Sequence, residues 1–260
     1  MKKLVFIEGV SGVGKTLTAK KLCGALQGLG HAACAYLEGD YDNPLELCWF
    51  AHLTKAEFDK LIKSHPEAST ELIAKSVFEK DYVLTQYQTK ESRFFPAEID
   101  RCLRAREVCY KPQTPVPLQR FTEIFQNRWA RLRENGLVKQ MDYVLFDGAL
   151  FHHQINDLLR NYSAGEEEIA RHLAVLLQTV KELDPLLIYL SAPDVKARLD
   201  EARISRKQPP ATTEQLAFWE NRKRMDLTVG KRLTIEPHTI PVTGDDWEAV
   251  RESALKLILS

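Results

Sequence analysis

Two patterns of apolar residues share this chain. Short, nearly unbroken apolar runs fall at residues 3–8, 32–37, 143–147, 186–190 and 238–242. Each is too short for a helix and rich in β-formers, so each predicts a buried strand. Between them the apolar positions follow helical spacing. In residues 15–29, Leu17, Leu22, Ala25, Leu26 and Leu29 can share a face, and Gly30 then stops the helix. Ile169, Leu173, Leu176, Leu177 and Val180 mark a second such face, with Ser163 and Glu166 expected to cap it. Helices are also predicted over 194–206, from the Thr212/Gln215 capping signal to about Val229, and over 247–259. Strand, loop, helix and strand in the first 40 residues form a βαβ unit, which implies a parallel sheet. The expectation is an α/β fold of three layers: a five-stranded parallel sheet flanked by helices.

The spacing between strands is uneven. Residues 41–142 contain no convincing buried strand and look mostly helical. Thr54 and Glu57 suggest a capping box ahead of Phe58, Leu61 and Ile62. Ile99 and Leu103 share one helix face. Phe121, Ile124, Phe125, Trp129 and Leu132 share another, decorated by Arg120, Arg128, Arg131 and Arg133. Residues 111–117, with three prolines, predict a rigid connector. The whole chain is expected to be one domain, with 41–142 as a helical insertion forming the acceptor-binding region.

Composition changes this picture little. The chain has 260 residues, 44% hydrophobic and 28% charged, as in ordinary globular proteins. Lys+Arg and Asp+Glu both number 36, so the zero formal charge argues against a nucleic-acid partner. No apolar run approaches the roughly 18 residues needed to span a membrane. Glu8 interrupts the N-terminal run too early for a secretory signal, which makes the cytoplasm the default location. Cys23, Cys34, Cys48, Cys102 and Cys109 are odd in number and lack a C-x-x-C spacing, so reduced thiols are expected. A homodimer is left open.

Chemistry enters at Gly9-Val10-Ser11-Gly12-Val13-Gly14-Lys15-Thr16, which fits the phosphate-binding loop G-x-x-x-x-G-K-[ST]. Its backbone N–H groups form an anion nest at a helix N-terminus. Lys15 is expected to reach the β- and γ-phosphates of ATP, and the Thr16 hydroxyl to bind Mg²⁺. Asp147, after four apolar residues, has the pattern of the second Mg²⁺-holding acid. Glu38 and Asp40 follow the second strand, at the carboxyl edge where such sheets bind ligands. Either carboxylate could take a proton from an attacking hydroxyl. His152 and His153 lack the partner spacing of a metal site and receive no role.

Phe6-Ile7-Glu8-Gly9 leading into Gly12-Val13-Gly14-Lys15-Thr16 resembles the opening of thymidylate kinases and deoxynucleoside kinases. The stretch from Ile188-Tyr189-Leu190-Ser191-Ala192-Pro193-Asp194-Val195 through Arg198-Leu199 to Arg203 resembles their fourth strand and lid helix. The resemblance covers about residues 1–40 and 143–260. It implies a P-loop kinase that passes the γ-phosphate of ATP to a small-molecule acceptor, a nucleoside or nucleotide first and a hydroxylated antibiotic second. It also implies that Asp40 or Glu38 is the base, that 194–212 forms a lid, and that Arg203 and Arg206 clamp the moving phosphoryl group. Those families place an arginine after the acid of the third strand, whereas Gly148 and Ala149 follow Asp147 here. A regulatory NTPase without an acceptor is the alternative from another class. It lacks support from an N-K-x-D guanine signal, which is absent.

Overall fold

The computed structural model describes residues 3–40, 42–110 and 112–260. Tyr41, where the insertion is expected to begin, and Lys111, the first residue of the expected connector, lie outside the described residues. In chain order the elements are β1 (Lys3–Glu8), α1 (Lys15–Gly28), β2 (Ala33–Tyr36), β3 (Phe50–Thr54), α2 (Lys55–Ser64), α3 (Ser69–Ala74), β4 (Ser76–Phe78), β5 (Tyr82–Gln86), α4 (Ala97–Arg104), α5 (Leu118–Ala130), α6 (Gly136–Gln140) and β6 (Tyr143–Asp147). They continue as α7 (His152–Tyr162), α8 (Glu166–Val180), β7 (Pro185–Ser191), α9 (Val195–Ser205), α10 (Thr213–Gly230), β8 (His238–Pro241) and α11 (Trp247–Leu259). The chain divides into two compact units, one of Met1–Leu45, Ile124–Leu159 and Ser163–Ser260, the other of Glu46–Glu123 and Arg160–Tyr162.

The first unit is built on a parallel sheet of order β2-β6-β1-β7-β8. Because helices cover both faces, its strands read as continuous apolar runs rather than alternating ones. Val5 and Ile7 of β1 point into a core with Leu22 and Leu26 of α1 and with Ala254 and Ile258 of α11. Phe6, on the opposite face by strand alternation, stacks on Trp129 of α5 with centroids 5.5 Å apart and on Phe146 of β6 at 5.7 Å. Tyr36 of β2 extends the stack, 5.4 Å from Phe146. Aromatic pairs of this kind add about 0.5–1.5 kcal/mol each beyond the area they bury. This is the expected three-layer α/β fold, a five-stranded parallel sheet flanked by helices, with the order of the strands given by the ladder pairings.

The second unit holds a three-stranded antiparallel sheet of order β3-β5-β4. The insertion does carry helices, but the expectation of a mostly helical stretch missed this sheet. Its strands have three to five residues, and β5 is buried at four successive positions, Tyr82 to Thr85. Runs so short carry no usable period. His52 faces Leu84 in register, and Val77 faces Leu84 from the other side. Phe58 and Leu61 of α2 and Ile99 and Leu103 of α4 close its core. Thr54 ends β3 and caps α2: its Oγ1 accepts from Glu57 N at 3.2 Å while Glu57 Oε2 accepts from Thr54 N at 2.8 Å.

Two local expectations need correction. Ser163 does not cap α8; it takes a left-handed conformation, φ 49, at the end of α7. Gly165 is the cap residue, its N–H held by Glu168 Oε2 at 2.9 Å. The arginines assigned to one helix are split, since α5 ends at Ala130 and Arg131 and Arg133 lie on the 3-10 turn that follows. Thr212 and Gln215 do form the expected capping box of α10. No disulfide joins the five cysteines, all of which lie among the described residues. Among the described residues, no helix is long and apolar enough to cross a membrane.

Candidate active site

The parallel register brings three carboxylates to one edge of the sheet. Ile7 pairs with Asp147 and Tyr36 with Phe146, so Glu8, Asp147 and Glu38 follow at the ends of three neighbouring strands. Residues 9–14 connect β1 to α1 at this edge. Gly9, Gly12 and Gly14 all have positive φ, 140, 87 and 82. At Gly14 a side chain is excluded twice over, by the left-handed backbone and by the Trp247 ring, 2.2 Å from where a Cβ would stand. The Arg198 guanidinium lies 5.4 Å over the same ring. α9 packs on the loop at Gly12 through the Arg198 carbonyl and Ala202.

Lys15 folds back over this loop. Its Nζ donates to the Val10 carbonyl at 3.2 Å and lies 3.4 Å from His152 Nδ1. Thr16 Oγ1 donates to Asp147 Oδ2 at 2.5 Å, and the same oxygen lies 3.4 Å from the Glu38 backbone N. Asp147 is fully buried and its Oδ1 has no hydrogen-bond partner among the described residues. Burial raises its pKa, opposed by the Lys15 ammonium and the Thr16 hydroxyl. A buried carboxylate oxygen left over beside a hydroxyl is a site that a hard divalent cation fits.

The two candidate bases separate. Asp40 Oδ2 accepts from the Leu37 N at 2.7 Å, and Asp40 N donates back to the Leu37 carbonyl, so this carboxylate shapes its own turn. The turn presents Glu38, whose side chain is 42% exposed and whose Oε1 lies 3.7 Å from His152 Nε2. Arg203 Nε donates to the Pro209 carbonyl at 2.5 Å, and Arg206 is exposed just beyond α9. Neither is held on the loop; the arginine beside it is Arg198.

Sequence reasoning passed over three groups. Glu8 is fully buried, and its carboxylate accepts from Leu150 N at 2.7 Å and His152 N at 2.9 Å. Burial pushes it up to about 7, against the pull of those N–H groups and of Lys15. His152 stacks on Trp219 of α10, centroids 5.4 Å apart and 12° from parallel. Arg222 of α10 donates to Asn156 Oδ1 at 2.5 Å and reaches toward the His152 carbonyl at 3.4 Å. These partners lie 66 to 144 residues apart in the chain, and only the Glu-Gly preceding the loop hinted at any of them.

Glu8 predicts a pH dependence. The folded chain holds the Glu8 proton more tightly than the unfolded chain, whose glutamates titrate near 4.5. Its stabilising contribution is therefore complete below pH 4.5 and lost as pH rises through about 7, up to about 3 kcal/mol. Urea unfolding at pH 5, 6, 7 and 8 should show a stability that declines across this window in the wild type and a flatter profile in Glu8→Gln. Equal slopes would remove Glu8 as the cause.

No protein-family model matches the chain, and no curated protein matches it. Among solved structures, a shikimate kinase from Acinetobacter baumannii in complex with shikimate aligns over 100% of this chain and 93% of its own, at 13% identity and a TM-score of 0.39. A likeness of that size does not bear on the substrate.

Proposed function

We propose that this chain is an ATP- and Mg²⁺-dependent phosphotransferase that moves the γ-phosphate of ATP to a hydroxyl or phosphate group of a small molecule. The observation that carries the reading is the meeting of Thr16, Asp147 and Glu38 beneath a loop that holds Lys15 at its mouth. The loop amides and the α1 N-terminus receive the phosphates, and Lys15 exchanges the Val10 carbonyl for a phosphate oxygen. The partly buried Trp247 ring, packed against Gly14 and covered by the Arg198 guanidinium, stands beside the loop, and the base is proposed to stack there once Arg198 moves aside. Thr16 and Asp147 would hold Mg²⁺, which neutralises charge on the phosphates when bound. Glu38 takes the proton of the acceptor hydroxyl as that oxygen bonds to the γ-phosphorus and the bond to the leaving ADP oxygen breaks. Arg203 and Arg206, at the end of α9, are proposed to reach the phosphoryl group only when the 194–212 segment closes.

The sequence resemblance favours a nucleoside or nucleotide acceptor, with hydroxylated antibiotics second. The test offers γ-labelled ATP and Mg²⁺ with nucleosides, nucleoside monophosphates and hydroxylated antibiotics, beside a control without acceptor. Label should pass to one acceptor class. Glu38→Gln should lower that transfer about 10²–10⁴-fold, while Asp40→Asn stays within a few-fold, since its carboxylate serves the turn. A larger loss in Asp40→Asn would exchange the two assignments. Release of inorganic phosphate at one rate with every acceptor would replace the kinase reading by a regulatory NTPase.

A further inference from the structure

His152 is 7% exposed and held from four directions. Its backbone N–H donates to Glu8, its carbonyl faces Arg222, its ring stacks on Trp219, and its Cβ lies where Gly148 leaves room. A Cβ on Gly148, φ 74, would stand 3.1 Å from His152 Cβ and 3.4 Å from Lys15 Cε. The residue after the third-strand acid is thus small because Lys15 and His152 fill the space beside it. An imidazole that merely completed a core would not be fixed between a lysine and a carboxylate.

The ring's two nitrogens face opposite partners. An ammonium offers donors only, so the Nδ1 that lies 3.4 Å from Lys15 Nζ carries a lone pair. The proton then sits on Nε2, which faces Glu38 Oε1 at 3.7 Å. The Glu38 side chain is 42% exposed, and the role proposed below for His152 requires it to rotate until this separation becomes a hydrogen bond. Burial, Lys15, Arg222 and His153 hold the imidazole well below its usual range, against the pull of a hydrogen bond to the Gly9 backbone, so the ring is neutral and its one N–H is shared between the Gly9 carbonyl and Glu38.

We propose that His152 is a positioning residue of this site, which parks Lys15 on Nδ1 before the nucleotide binds and orients the Glu38 carboxylate through Nε2–H during transfer. The proposal rests on the kinase reading for its second half and on geometry alone for its first. One ring thereby touches both the residue that receives the donor phosphates and the residue that receives the acceptor proton. Trp219 and Arg222 tie that ring to α10, the helix that follows the lid segment.

The first half is tested on the full chain without any acceptor. Nitrogen-15 NMR of the imidazoles, with His152 assigned by the signal missing from His152→Gln, should show the Nε2–H tautomer in the nucleotide-free protein. Adding MgATP should shift its Nδ1 resonance as Lys15 leaves. An Nδ1–H tautomer, or an Nδ1 signal unmoved by saturating MgATP, would overturn the parking role. The second half is read from transfer kinetics. Asparagine can offer an acceptor near Nδ1 but no donor at Nε2, whereas glutamine can place its amide donor near Nε2. His152→Asn should lower kcat at least 10-fold with KM for ATP within 2-fold, and His152→Gln should recover most of the loss. In a Glu38→Gln background, His152→Asn should cause no further loss. The same loss in both backgrounds would mean that His152 acts independently of Glu38 and would overturn the orienting role. A wild type that transfers label to no acceptor would sink the kinase reading, and the tautomer would still judge the parking role.

Discussion

Lys15→Ala is expected to lower γ-phosphate transfer about 10²–10³-fold, the loss typical of removing one preorganised donor from a charge-stabilising site. The Lys15 side chain is buried, with its ammonium held at the loop mouth by the Val10 carbonyl. Its charge is thus in place before the nucleotide arrives, and transfer does not wait for a long side chain to be ordered. The loop amides, Thr16 and Asp147 survive the substitution, so nucleotide binding should weaken without vanishing. Single-turnover transfer from γ-labelled ATP separates the two effects. Lys15→Arg should not restore the rate, because a planar guanidinium does not fit where a compact ammonium sits within 3.4 Å of an imidazole. Transfer within a few-fold of wild type in Lys15→Ala would remove the lysine from the reaction.

Asp226→Ala should destabilise the first unit by about 3–5 kcal/mol, the cost of leaving one member of a buried ion pair alone. Arg222 and Asp226 are both 0% exposed, with Nε donating to Oδ1 at 2.8 Å. Tyr189 donates its hydroxyl to the other oxygen at 3.1 Å. Without Asp226 the guanidinium stays buried with Asn156 Oδ1 as its nearest acceptor, its Nη2 already lacking a partner among the described residues. The paired replacement Arg222→Met with Asp226→Leu should recover much of the loss, since it removes both charges and fills similar volume. Thermal unfolding followed by tryptophan fluorescence reports it, with Trp129, Trp219 and Trp247 in this unit. A single variant that melts with the wild type would show that water reaches Arg222.

The glycine-rich loop was legible because its parts are contiguous: strand, glycines, lysine and helix follow one another within residues 3–28. The same holds for the caps at Thr54 and Thr212, where cap and partner are three residues apart. Asp147 was legible because an acid ending a buried strand must lie at the sheet edge. The choice between Glu38 and Asp40 was not. Two residues in one turn differ only in which carboxylate the turn itself consumes, and that depends on the bond from Leu37 N.

What the sequence determined by itself was therefore local: the parallel sheet's strands and the helices beside them, the glycine-rich loop leading into Lys15 and Thr16, and an acid at the edge of β6. The tertiary structure decided the rest. It joined Glu8 to the turn before α7, placed His152 between Lys15 and Glu38, and set Trp219 and Arg222 against it. It also revealed the antiparallel sheet β3-β5-β4. The physical reason is the same in each case. Hydrophobic period and motif spacing encode which face of an element is buried, whereas contacts between residues tens to more than a hundred positions apart are set by strand order and register, which no local pattern carries.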